Sequence, residues 1–298
     1  MSSPLPRPEV IVYGTVCLDR FLPVDADGNP LTEMPEEMPG GEAFNTATAL
    51  AGWGVDVLLT GTAIGRDPEG NRLRHLLDSS ALGLPRTYIP DDANAVTPVC
   101  TVRVFPDGER HMSGRGFAEA VAPLPLPDSL LAARPLYTCD PNLGPPAVEA
   151  ALNAAAAGCP VVAMDFAPIP QVVQVSRLLV TSREFLAKQG VPGAPEEIAR
   201  RLLLSGAQTA IVTRGADGCL VADRDAGVFP HPAFPLGDVV DTTGAGDTFR
   251  AGLCYGLLRD LSLSDTVRFA SAAAALHCRV RGGGSRVPVE AVQHLAEG

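Results

Sequence analysis

The chain has a single lysine, Lys188, among its 23 Lys and Arg residues. A Walker A loop needs a lysine directly after its glycines, reaching the β/γ-phosphates. Lys188 is followed by Gln189-Gly190 instead, so that way of holding a nucleotide is excluded. The seven cysteines (17, 100, 139, 159, 219, 254, 278) never form a CxxC pair, and the five histidines form no HxxH or HExxH. A zinc site and a disulfide framework are therefore not expected. Several of the cysteines stand in apolar runs, where a free thiol serves as a small core residue. No stretch of about 18 apolar residues exists, so no membrane span is expected. Residues 1–8 lack the apolar stretch of a signal peptide, and a soluble cytoplasmic protein is the expectation. No GxGxxG follows the first apolar run, which argues against a dinucleotide-dependent dehydrogenase. A net charge of −11 opposes a nucleic-acid partner. It does not exclude a magnesium nucleotide, which local amides and a few side chains can hold. Internal repeats and low-complexity tracts are absent too; Ala151–Ala157 and Ala272–Ala275 read as closely packed helix.

What remains is a chain of 298 residues, 46% apolar, long enough to bury a large core. Short apolar runs at 10–13, 55–59, 160–165, 178–180 and 210–213 read as buried strands. Between them, helical stretches are expected at 45–53, 70–79, 146–157, 195–205, 248–261 and 264–280. Buried strands alternating with helices predict a parallel sheet covered on both faces. Two segments break the rhythm. Residues 15–39 are rich in Pro, Asp and Glu. Residues 96–117 hold a strand in which Cys100, Val102 and Val104 share one face and Thr101 and Arg103 the other, followed by the turn signal Pro106-Asp107-Gly108. A small antiparallel sheet standing off the main sheet is expected there.

The most informative stretch is Val239-Val240-Asp241-Thr242-Thr243-Gly244-Ala245-Gly246-Asp247-Thr248-Phe249-Arg250-Ala251-Gly252. Two strand residues run into a turn that only small residues can make, and a long apolar helix follows. The amides of Ala245, Gly246 and Asp247 are expected to be unpaired, at the positive end of the helix dipole. That is an anion hole with a carboxylate beside it. An anion site plus a base is the minimum equipment for moving a phosphoryl group onto a hydroxyl. The plainer alternative is a glycine turn with Asp247 as an ordinary N-cap.

The string 241–247 resembles the C-terminal signature of the ribokinase-like (PfkB) family of carbohydrate kinases. The family's N-terminal signature is matched by Gly40-Gly41-Glu42-Ala43-Phe44-Asn45-Thr46-Ala47, followed by Gly61-Thr62-Ala63-Ile64-Gly65-Arg66-Asp67-Pro68-Glu69-Gly70. Both signatures stand in the family's order, about 200 residues apart, and the resemblance covers nearly the whole chain. It implies a three-layer α/β/α domain over residues 1–298, with a mostly parallel central sheet. Segments 15–39 and 96–117 would form a small β-sheet lid over the sugar, whose apolar face would alternatively pair two subunits into a homodimer.

The resemblance also implies roles. Asp247 would be the general base, ionised at neutral pH by the helix N-terminus. The amides of Gly244, Ala245, Gly246 and Asp247 would stabilise charge on the transferring group. Asp19, Gly40, Gly41 and Asn45 would bind sugar hydroxyls, the glycines letting backbone approach. Asn45 also reads as a cap of the helix that follows it. Thr213, Gly215 and Gly218 resemble the loop along the phosphates of ATP. Thr243 and His277 would lie by the nucleotide, with 271–278 walling the adenine. The carbonyls of Asp241 and Thr243, with Gly282-Gly283-Gly284-Ser285, fall where some relatives bind a monovalent cation such as K+.

Departures narrow the reading. Relatives carry Asn-x-x-Glu near Mg2+; here Thr181-Ser182-Arg183-Glu184 leaves Glu184 to order metal-bound water. Cys17 and Glu42 replace the asparagine and lysine of ribose kinases, so ribose drops as a substrate. The serine-glycine loop of sugar-phosphate kinases is missing around Thr138-Cys139-Asp140-Pro141-Asn142, which favours an unphosphorylated acceptor. The expected activity is ATP-dependent phosphorylation of a primary hydroxyl on a small sugar, fructose-like or a sugar acid. The alternatives are a nucleoside acceptor, its base held by Phe44, Phe117 or lid residues, and a non-catalytic ligand-binding protein.

Overall fold

Every residue of β1 (Val10–Gly14) is buried, because helices cover both faces of this strand. The computed structural model describes residues 7–79, 84, 88–106, 110–123, 125–235, 237, 239–284 and 287–298. Along the chain the other strands are β2 (Cys17–Pro23), β3 (Glu36–Gly40), β4 (Val57–Gly61), β5 (Val99–Val104), β6 (Arg110–Arg115), β7 (Leu136–Cys139), β8 (Val161–Met164), β9 (Ser176–Ser182), β10 (Thr209–Thr213), β11 (Cys219–Asp223) and β12 (Gly227–His231). The helices are α1 (Glu42–Gly52), α2 (Pro68–Asp78), α3 (Asp128–Leu131), α4 (Pro145–Ala156), α5 (Pro170–Val175), α6 (Arg183–Lys188), α7 (Pro195–Leu204), α8 (Ala245–Leu258), α9 (Leu263–His277) and α10 (Val289–Glu297). Lys188 closes α6 and is exposed.

The large sheet runs β12-β11-β10-β9-β8-β7-β1-β4. Its pairings from β4 through β10 are all parallel, while β11 and β12 join antiparallel at one edge. The strand period of two sorts the core. Val10 and Val12 face a cluster with α1, α8, α9 and α10, whereas Ile11 and Tyr13 face one with α4, α5 and α7.

The elements differ from the sequence reading at several places. The run at 55–59 pairs as Val57–Gly61, two residues later, while 178–180 extends to Ser176–Ser182 because polar Thr181 and Ser182 still pair with β10. Strands β7, β11 and β12 escape an apolar-run search, being short or interrupted by polar residues and a proline. Helix α1 starts at Glu42, so Gly41 holds the N-cap position and Asn45 lies within the first turn, not at the cap. Helices α8 and α9 stop at Leu258 and His277, short of 261 and 280.

The second sheet, β3-β2-β5-β6, takes two strands from each segment that broke the rhythm. It is mixed, not purely antiparallel: β2 lies parallel to β5, since each strand begins its own excursion from the large sheet. Asp107 and Gly108 of the expected turn, like Ser285 of the glycine run, lie outside the described residues. Ion pairs link this sheet to α2: Arg20 Nη2–Glu69 at 3.4 Å, Arg72–Glu37 at 2.9 Å and Arg115–Glu69 at 2.7 Å.

Candidate active site

The two signatures meet where the carboxyl ends of the parallel strands face the small sheet, the usual location of a ligand crevice in such sheets. Alternation along β2 turns Asp19 inward, where it is 5% exposed. A Cβ on Gly40 would come within 2.0 Å of the Asp19 carboxylate, so only glycine leaves that acid its place. Burial lifts the Asp19 carboxyl to about 6, partly offset by a hydrogen bond from the Cys17 thiol. Gly41 opens α1, and from its first turn Asn45 Nδ2 donates to Asp247 Oδ2 at 2.9 Å. One hydrogen bond thus joins residues 202 positions apart.

The turn before α8 is held from beneath. Gly244 occupies the N-cap position at φ 79°, and a Cβ there would meet the Gly283 carbonyl oxygen at 2.6 Å. Asp241 accepts from the amides of Thr243 (2.7 Å) and Gly282 (2.8 Å). Arg110, reaching over from β6, pairs with Asp241 at 2.6 Å and donates to the Val240 carbonyl at 3.1 Å. The loop's charge is therefore met by a guanidinium, and we assign no K+ seat there. His277 is fully buried, and its Nε2 donates to the Thr243 carbonyl at 2.7 Å. It lies under the loop, so any influence on a nucleotide passes through Thr243. Burial lowers its pKa below the usual imidazole value.

Fewer amides of this turn are free than the sequence suggests. The amide of Ala245 turns back to the Thr242 carbonyl at 3.2 Å. Among the described residues, the amides of Gly246 and Asp247 have no hydrogen-bond partner.

Asp247 also departs from expectation. Its carboxyl is held well above the usual range, by burial first and then by the Glu42 carboxylate. Arg250 and Asn45 pull it down and Asp140 pushes it up. A helix N-terminus contributes only a fraction of a charge, so it loses to desolvation and to neighbouring acids. Those neighbours form a cage: Glu42 on α1, Asp140 after β7, Asp165 after β8 and Asp247, with Arg250 among them. Asp140 and Asp165 are raised to about 7 and about 6, with burial the first cause in both. Asp165 adopts φ 61°, a left-handed conformation that aspartate tolerates, and accepts from Thr181 Oγ1 at 2.8 Å.

On the other side, Thr213 ends β10 and leads into a single 3-10 turn over Gly215–Asp217, closed by Gly218. Glu184 is exposed in the first turn of α6, beside the Arg183–Asp217 ion pair at 3.2 Å. Among the described residues no group of three His, Cys, Asp or Glu is placed to hold a metal by itself. Phe44 is spent in the core, at 5% exposed.

The sequence reading missed Asp140, Asp165, Arg250 and Arg110. Asp165 carried a signal, since it closes the apolar run 160–165, whereas Asp140 follows β7, which no apolar run announces. Arg250 carried another, as the one cation in the apolar helix that starts the motif. Arg110 carried none.

Comparison with known proteins bears on the family and the fold. A model of the pfkB family carbohydrate kinases matches residues 7–290. The ATP-dependent ribose-1-phosphate kinase of Halopiger xanaduensis is 30% identical over 292 residues, covering 95% of this chain and 96% of that protein. The bifunctional protein HldE of Caulobacter vibrioides is 29% identical over 290 residues; 90% of this chain is covered, which spans 59% of that protein's length. The solved structure of Arabidopsis thaliana ribokinase with ribose and ATP aligns at a TM-score of 0.82 and 21% identity, covering 98% of this chain and 100% of that one. The fold is the ribokinase-like α/β fold. The chain belongs to the pfkB family of carbohydrate kinases, and is a kinase of the class that acts on sugars.

Proposed function

We propose that the protein transfers a phosphoryl group from ATP to a primary hydroxyl of a small, unphosphorylated sugar, with Asp247 as general base. The observation that carries this reading is Asp247 Oδ1, a buried oxygen with no hydrogen-bond partner at the meeting point of both signatures. Its twin, Oδ2, is fixed by Asn45, so the free oxygen points to a waiting hydroxyl proton. The fit to a nucleotide rests on the two unpaired amides of Gly246 and Asp247 beside that oxygen.

When bound, magnesium ATP supplies the phosphoryl group, and Glu184 is the residue we assign to ordering metal-bound water. The chain's own residues do the rest. Asp19 and Asn45, with the backbone at Gly40 and Gly41, grip and orient the acceptor. Asp247 takes the hydroxyl proton, and the Gly244–Asp247 turn stabilises charge beside it. Thr213, Gly215, Gly218 and Thr243 shape the loops along the phosphates. The small sheet excludes water, which suppresses wasteful hydrolysis of the donor. With Phe44 packed in the core, a nucleoside base would have only Phe117 and lid residues to lean on, so the sugar reading is favoured. Leu31, Met34 and Met112, exposed by 64%, 83% and 65%, support pairing of two copies through this sheet.

The test is ADP release with magnesium ATP across hexoses, pentoses, sugar acids and nucleosides. Turnover on one sugar is expected, and Asp247→Asn should lower kcat by about 10²–10⁴-fold with substrate binding retained. A variant with near-normal kcat would sink the assignment of the base.

A further inference from the structure

Arg250 is fully buried, yet its charge is not paired by hydrogen bonds to any acid. Its Nε donates to Thr46 Oγ1 at 2.9 Å and its Nη2 to the Glu42 carbonyl at 2.7 Å, both on α1. So anchored, the guanidinium stands 3.7 Å from Asp140 Oδ2 and 3.8 Å from Asp247 Oδ1, bonding neither. Both of those oxygens, and Arg250 Nη1, are buried without a hydrogen-bond partner. The helix supplies the juxtaposition, since residues three apart on α8 share one face.

We propose that Arg250 is a positioning residue of the reaction: held by α1, its guanidinium is the fixed charge that decides whether Asp247 stands as a carboxylate. This rests on Asp247 being the base. An arginine suits the role because its charge cannot be lost at any working pH. A base buried among acids tends to keep its proton, and a protonated Asp247 cannot take the proton of a hydroxyl. An opposite charge within 4–6 Å favours the ionised form by about one to three pH units. Arg250 and Asn45 are the groups that pull Asp247 in that direction. Opposing them are Glu42 from α1 and Asp140 from the end of β7, while Asp165, at the end of β8, feels the same Glu42 and Arg250. The thiols of Cys17 on β2, Cys139 on β7 and Cys254 on α8 also face the pair, and burial keeps all three protonated. Asp140 competes with Asp247 for the one guanidinium.

The deciding experiment titrates the aspartate side-chain carbons by 13C NMR in the full chain, with the Asp247 signal assigned by its loss in Asp247→Asn. In Arg250→Met the Asp247 transition should move to higher pH by about one unit or more. A purely bracing role for Arg250 would lower the melting temperature and leave the transition in place, which overturns the proposal. Should Arg250→Met fail to fold by circular dichroism, Arg250→Gln decides instead: its Asp247 transition must move to higher pH, and no movement overturns the proposal. The titration needs no acceptor, so a wild-type protein without kinase turnover would sink the assignment of the base and leave this readout intact.

Discussion

The two sheets are built on opposite terms. In the large one, β1, β4 and β7 are buried at every position, and Ile11, Val12 and Val162 have no exposed surface. In the small one, five of six residues of β6 are exposed, and its ties to α2 are partly exposed ion pairs. Yet both contribute to one site. The large sheet sets Asp140 and Asp165 at strand ends and Asp247 on the helix behind them; the small sheet brings Asp19 and Arg110. Asp140, Asp165 and Asp247 stand on elements held by burial on both faces, whereas Arg110 stands on a largely exposed strand.

The largest test of this contrast is stability. Ile11→Ala should cost about 2–5 kcal/mol in urea unfolding. Met112→Ala, on exposed β6, should stay within about 0.5 kcal/mol. Equal costs would break the comparison. Next comes pH. Asp19 and Asp165 have folded values of about 6, above an ordinary 3.8. The unfolded chain therefore releases these protons first as pH rises. Stability is fullest below about pH 4 on their account and falls until about pH 7, by about 3 kcal/mol for each. Melting temperatures across that window check the sign, and Asp165→Asn should flatten the decline.

Smaller effects fall on the cover. Arg110→Ala removes a charged contact worth about 1.5–3 kcal/mol between β6 and the Asp241 loop. Roughly tenfold or more should be lost from kcat/KM, with more ATP hydrolysed in the absence of sugar. Steady-state rates with and without acceptor measure both. Smallest, Glu37→Gln should shift unfolding by less than about 1 kcal/mol, since its partners Arg20 and Arg72 are partly exposed.

Much of the fold was legible because burial on both faces writes itself as apolar runs, as in residues 10–13 and 210–213. The short antiparallel strands β11 and β12 were not, since polar residues and a proline interrupt them. The site was legible where backbone demands glycine: Gly40 and Gly244 mark places where a Cβ has no room. The charges around Asp247 were not. A helix N-terminus is visible in sequence, but Glu42, Asp140 and Arg250 come from separate elements, and their sum is a property of the packed cage.

The solitary lysine has a practical consequence. Exposed at the end of α6, Lys188 offers amine-reactive reagents a single side chain in the whole protein. A dye or a surface linker attached there would fix every molecule in one orientation. It would leave the arginines of the site untouched, so single immobilised molecules can be followed without first re-engineering the chain.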